Sequence, residues 1–93
     1  MNMKVKIMAF ATLRNILGRE RIVELEEGSR VQELLDSLCA KNEGLYNLLF
    51  DANVLKDEMN VLVNGKNISA LNGIQTKLEN NDEIALFPAA IGG

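Results

Sequence analysis

The sequence contains no histidine and no tryptophan, and only one cysteine and one proline. Without histidine, neither a Ser-His-Asp nor a Cys-His arrangement can form. A lone cysteine, Cys39, leaves no internal disulfide, no Cys-x-x-Cys redox pair and no four-cysteine iron–sulfur cluster. No glycine-rich phosphate loop is present. No apolar run approaches the roughly 18 residues of a membrane helix, so no membrane partner is expected. Basic residues form no block and the net charge is −3. That argues against nucleic acid, whose binding depends on neutralising phosphates. Met1-Asn2-Met3-Lys4-Val5-Lys6 alternates too soon for a signal peptide, and a cytoplasmic location is the default. These absences suggest a protein on which chemistry is done, not an enzyme on its own, with no bound cofactor and no metal.

What is present suits one small domain. The chain has 93 residues, 47% hydrophobic and 25% charged, an ordinary balance for a globular protein. A chain of this size buries only about 60–65% of its unfolded surface, so one modest core is the limit. The expected unit is a single domain over residues 1–93, with 88–93 a projecting tail.

Alternation makes Met3 to Phe10 a strand, with Val5, Ile7 and Ala9 on one face and Lys4, Lys6, Met8 and Phe10 on the other. Ala11 to Gly18 reads as a helical turn or wide loop, and Arg21 to Leu25 as the return strand of an antiparallel hairpin. Ser29-x-x-Gln32 fits a capping box. Val31, Leu34, Leu35 and Leu38 then recur on one helical face, and the helix should end by Gly44. Cys39 sits at the edge of that face, where unpaired cysteine is usually a packing residue. Leu45 to Phe50 reads as a turn of helix, and Asp51 to Asp57 as a connecting loop. Met59 to Val63 is a third strand, Asn64-Gly65 a two-residue hairpin turn, and Lys66-Asn67-Ile68 a short return. Ser69 to Lys77 is a loop with a helical turn near Leu71-Asn72-Gly73. Asn80 or Asn81 takes the left-handed position before the final strand, which has Ile84 and Leu86 inward. The order is β-β-α-β-(β)-β. The economical fold is α+β, a mixed sheet of four to five strands with one main helix on one face. With the first and last strands parallel at the centre, this is a β-grasp.

Pro88 stops the last strand, because proline cannot donate to a sheet ladder. The end is Gly92-Gly93. Residues without Cβ can enter a slot too narrow for others. Two terminal glycines arise by chance in roughly 0.5% of chains, so their weight comes from the body that presents them.

Taken in order, certain residues resemble a known family. They are Lys4-Val5-Lys6-Ile7 with Phe10-Ala11-x-x-Arg14-x-x-x-Gly18, then Val63-Asn64-Gly65, then Asp82 to Pro88, and finally Gly92-Gly93. The pattern is similar to the ubiquitin-like sulfur carriers, the small subunit of molybdopterin synthase (MoaD) and the thiamine sulfur carrier (ThiS). It covers the whole chain and fits the molybdopterin type better, although Ala89 stands where that type has a second proline. The resemblance implies a mechanism. An adenylating enzyme like the ubiquitin activators uses MgATP to convert the Gly93 carboxylate into an acyl-adenylate. Sulfide or a persulfide then displaces AMP and leaves a thiocarboxylate, which donates sulfur within the large subunit of molybdopterin synthase. Gly92 and Gly93 thread the channel. Phe10, Arg14, Leu62, Phe87, Pro88 and Ile91 form the partner-binding set, with Met8 beside them. The same activation step would serve a protein modifier joined to lysines, or a carrier for thiamine thiazole synthesis. A plain β-grasp binding module is a third class.

Overall fold

The computed structural model describes residues 1–88. In β1 (Asn2–Ala9), pleating sends Met3, Val5, Ile7 and Ala9 to one side, and all four are buried. β2 (Glu20–Glu26) pairs antiparallel with β1, with Val5 opposite Val23. β7 (Glu83–Pro88) lies on the other side of β1 and parallel to it, with Ile7 opposite Ile84. β5 (Met59–Val63) runs antiparallel to β7, and the two-residue β6 (Lys66–Asn67) closes the far edge. The sheet order is β2-β1-β7-β5-β6, with the first and last strands parallel at the centre. The fold is therefore the expected β-grasp.

α2 (Val31–Ala40) covers one face. Val31, Leu34, Leu35 and Leu38 are all buried against Ile7, Ile84, Leu86 and Val61 in one core. Each such side chain contributes roughly 1.5–3 kcal/mol of burial before entropy costs. The segment after β1 forms a 3-10 turn (Ala11–Leu13) and α1 (Arg14–Leu17), and Gly18 ends it at φ 80°. Leu13 and Leu17 plug that end of the core. Asn64-Gly65 turns with φ of 52° and 87°, and Asn81 takes the left-handed position at 72°. No helix among the described residues is long and apolar enough to cross a membrane.

Three expectations are corrected. The helix start lies one residue beyond the Ser29 capping box. Arg30 is the cap residue, and its N–H donates to the Glu33 carboxylate at 2.7 Å. Ser29 Oγ instead donates to the Glu26 carbonyl at 2.6 Å. Ser29 and Arg30 are held extended because Leu78 N–H donates to the Ser29 carbonyl and Val31 N–H to that of Thr76, both at 3.0 Å. The helix does end before Gly44, at Ala40. The Asn42 side chain accepts from Leu45 N–H at 3.1 Å and opens α3 (Glu43–Leu49), with Gly44 in its first turn. The supposed loop from Asp51 to Asp57 contains a hairpin, β3 (Phe50–Asp51) against β4 (Val54–Leu55). Its turn is Ala52-Asn53, both at positive φ. Tyr46 stacks on Phe50 at 5.2 Å, and its hydroxyl donates to the Asn53 side chain, which fixes the hairpin on α3. Ile68 leaves the sheet. It starts a 3-10 turn (Ile68–Ala70) and is buried, because its side chain closes the core under β5.

Candidate functional site

The face of the sheet opposite α2 carries the residues of interest. Met8 on β1, Ala85 on β7 and Leu62 on β5 stand in one cross-strand row, since Met8 pairs with Ala85 and Ala85 with Leu62. One step toward the end of β7, Phe87 pairs with Asn60, and Pro88 with Met59. Phe10 reaches the same level because its N–H donates to the Leu86 carbonyl at 3.1 Å. Its ring meets that of Phe87 edge-on, with centroids 6.1 Å apart. Such pairs are worth about 0.5–1.5 kcal/mol beyond area burial.

Ala11 follows at φ 56° and turns the chain sharply. The turn returns Arg14 over Phe10, with the guanidinium carbon 5.4 Å from the ring centroid. Arg14 Nε also donates to the Ala9 carbonyl at 3.1 Å. One side chain thus ties the end of β1 to the aromatic pair. Phe10 is 39% exposed, and Met8, Leu62, Phe87, Pro88 and Arg14 are half-buried. Four of the eight expected site residues, Phe10, Arg14, Leu62 and Phe87, are brought to this face, whereas Pro88, paired with Met59, falls by strand alternation on the face of Ile84 and Leu86. Ile91, Gly92 and Gly93 lie outside the described residues.

Sequence reasoning missed two neighbours. Ala85 stands between Met8 and Leu62 and keeps the middle of the patch shallow. Asn60, beside Phe87, is its polar boundary and accepts from the Asn67 amide at 3.1 Å. Alternation in the last strand placed Ala85 outward, so its face was readable, but its cross-strand neighbours were not.

Among the described residues no group of three His, Cys, Asp or Glu side chains could hold a metal. Cys39 lies with α2, on the opposite side of the sheet from the patch. Burial, and secondly the charge of Asp36, push its thiol above the usual cysteine range. A protonated, half-buried thiol is a poor nucleophile, which fits a packing role. The face opposite α2 thus presents an apolar patch with the Arg14 guanidinium at its edge.

The ThiS family model matches residues 7–93. The chain belongs to the ThiS family. It is 33% identical over 92 residues to Small archaeal modifier protein 3 of Haloferax volcanii, covering 98% of this chain and 100% of that one. Its fold is similar to the solution structure of small archaeal modifier protein 1 from Methanosarcina acetivorans. There the identity is 33%, the TM-score 0.85, and the coverage 100% of this chain and 99% of that one. It is also similar to a Pyrococcus furiosus structure described as a molybdopterin converting factor, subunit 1. That match has 26% identity, a TM-score of 0.74 and coverage of 95% and 99%. This ThiS-family member is a ubiquitin-like protein of the carrier and modifier type. In it the aromatic pair and Arg14 stand beside the last residues of β7, with Leu62 further back along the strand opposite Ala85.

Proposed function

We propose that the protein is a sulfur carrier whose working group is the Gly93 carboxylate. The observation that carries this reading is the placement of β7. It is a central strand, bonded on both sides, and it ends at Pro88 beside Phe10 and Arg14. Five residues follow Pro88. Fully extended they span at most about 18 Å, enough to enter a partner's active site while the patch docks on its rim.

A carboxylate is ionised at neutral pH and is a poor electrophile. An adenylating enzyme with MgATP would convert it to an acyl-adenylate and release pyrophosphate. Attack by sulfide would expel AMP and leave the thiocarboxylate directly, whereas attack by a persulfide would give an acyl disulfide, which a second thiol would cleave to the thiocarboxylate while itself ending in a disulfide. That sulfur would pass to molybdopterin in the large subunit of its synthase. A second reading is favoured by the 33% identity to a small archaeal modifier protein. In this reading the activated carboxyl would be attacked by a lysine amine of another protein, expelling AMP and forming an isopeptide bond.

Mass spectrometry of protein incubated with its activating enzyme, MgATP and a sulfur donor tests both. A gain equal to sulfur replacing one oxygen at the terminus supports the carrier. A chain joined to a lysine supports the modifier. The chain lacking Gly93 should melt as the full one does and show neither product. Normal adenylation of that shortened chain would overturn the role given to Gly93.

A further inference from the structure

Strand β2 is the outermost strand of the sheet, and nothing pairs with its far side among the described residues. The ladder shows which backbone groups face outward. Ala9 N–H donates to the Arg19 carbonyl and Glu27 N–H to that of Met1, so odd-numbered residues carry the bonds between β1 and β2. The N–H and C=O groups of Glu20, Ile22 and Glu24 therefore point away from the sheet. The open edge ends at Glu26, whose carbonyl Ser29 already takes.

Two further features lie along this edge. On the outer face stand Glu20, Ile22 and Glu24, with Ile22 59% exposed. On the helix side, a cleft of about 280 Å³ separates β2 from α2, with Val23 and Leu38 in its lining and Arg21 and Lys41 also lining it. We propose that the β2 edge is a docking site for an extended basic segment of a partner protein, which adds as a sixth strand. In an antiparallel addition, the segment's residues opposite Glu20 and Glu24 share their face. Lysine or arginine fits there, an aliphatic residue fits against Ile22, and the intervening residue drops onto Val23 and Leu38. Lys6 Nζ lies 4.0 Å from Glu20, but both are solvent-exposed. Such a pair is worth only about 0–1 kcal/mol, so Glu20 remains available to a partner.

A second copy of this chain is a poor occupant. Antiparallel self-pairing about a two-fold axis normal to the sheet sets Glu20 opposite Glu24 when Ile22 meets itself, or opposite Glu26 when Val23 does. Like charges directly opposite are destabilising. β2 is separated from β7 by β1, and its outward backbone groups point away from the strand that carries the tail.

The test is a titration of the ¹⁵N-labelled full chain with the synthetic peptide Lys-Thr-Lys-Val-Ile-Thr-Lys. The largest amide shifts should fall on Glu20, Ile22 and Glu24. The double variant Glu20→Lys/Glu24→Lys should weaken binding about tenfold, the equivalent of about 1.4 kcal/mol. Ile22→Pro should abolish binding at near-unchanged melting temperature, because its N–H carries no bond to β1. If that variant unfolds, the charge-reversal variant carries the test. The chain lacking Gly93 should bind the peptide as the full chain does, which keeps this outcome separate from the carrier reading. No shift, shifts centred on Phe10 and Phe87, equal binding of a peptide with glutamate in place of lysine, or peptide-free self-association through β2 would each overturn the proposal.

Discussion

Phe10 and Phe87 meet edge-to-face, their ring planes at 90°, across the two central parallel strands. One ring sits just past the end of β1 and the other at the penultimate residue of β7. The pair therefore ties the end of β1 to the end of β7, and it is the aromatic part of the exposed patch. On the proposed function, the same two rings serve stability and recognition.

Phe10→Ala and Phe87→Ala should separate those contributions. In urea unfolding, the double-mutant cycle should give a coupling of about 0.5–1.5 kcal/mol. In adenylation assays each single variant should lose more in kcat/KM than its stability loss explains, because both rings are part-exposed and available to a partner. Unchanged kcat/KM with full folding would remove the aromatic pair from the docking surface.

The hairpin at Ala52-Asn53 gives a second test. Ala52 sits at φ 49°, where a Cβ costs roughly 1–2 kcal/mol per residue. Glycine pays no such penalty, although it loses more entropy on folding. Ala52→Gly should raise stability by roughly 0.5–1 kcal/mol, whereas Gly65→Ala, at φ 87°, should lower it by a similar or larger amount. Thermal melts of the two variants should move in opposite directions.

That hairpin also shows where the sequence stops being readable. Strands β1, β5 and β7 announce themselves because period-2 alternation is a property of neighbouring residues, and Val31 to Leu38 do the same at helical spacing. Asn64-Gly65 is a turn by its own chemistry. Ala52-Asn53 is not, and its left-handed pair exists because Tyr46 and Phe50 hold the flanking residues. The helix start moved to Arg30 for a similar reason, since the segment around Lys77 pins Ser29 and Arg30 in an extended form. Tertiary contacts overrode local signals in both places. At the site, strand alternation placed Phe10 and Phe87 on the open face, and the family resemblance added Arg14. Their contact depends on the turn at Ala11, which no local signal marks.

Cys39 supplies a pH test. Its thiol is pushed up by burial first and by Asp36 second, so less of it is thiolate at a given pH. Alkylation by iodoacetamide near about pH 8.5, where a free thiol is half ionised, should be slower than for a cysteine peptide. Asp36→Asn should speed it. The sign for stability follows from a raised folded-state value. The contribution is complete below the unfolded-state value and is lost as pH rises through the folded one. The chain should lose stability at alkaline pH, and Cys39→Ala should flatten that part of the profile. Alkylation as fast as in the peptide would show the thiol to be open.

Arg14 joins Phe10 to the backbone of β1, and the two ways it does so predict different outcomes for its substitution. The Nε–H bond to the Ala9 carbonyl needs a planar guanidinium, as does stacking on the ring at 5.4 Å. Lysine keeps the charge but lacks the fixed fork of donors. An exposed cation–π contact is worth about 0.5–1 kcal/mol and a hydrogen bond from a charged donor about 1.5–3. Arg14→Lys should therefore resemble Arg14→Ala, with each losing about 2–4 kcal/mol of stability and each shifting the ring resonances of Phe10. A purely electrostatic role makes the opposite forecast. Lysine would then match arginine in adenylation, alanine would not, and the difference would fade as salt screens it over about 10 Å at 0.1 M. Measuring kcat/KM for the three side chains at two ionic strengths, beside the Phe10 resonances, decides between a positioning residue and a bare charge.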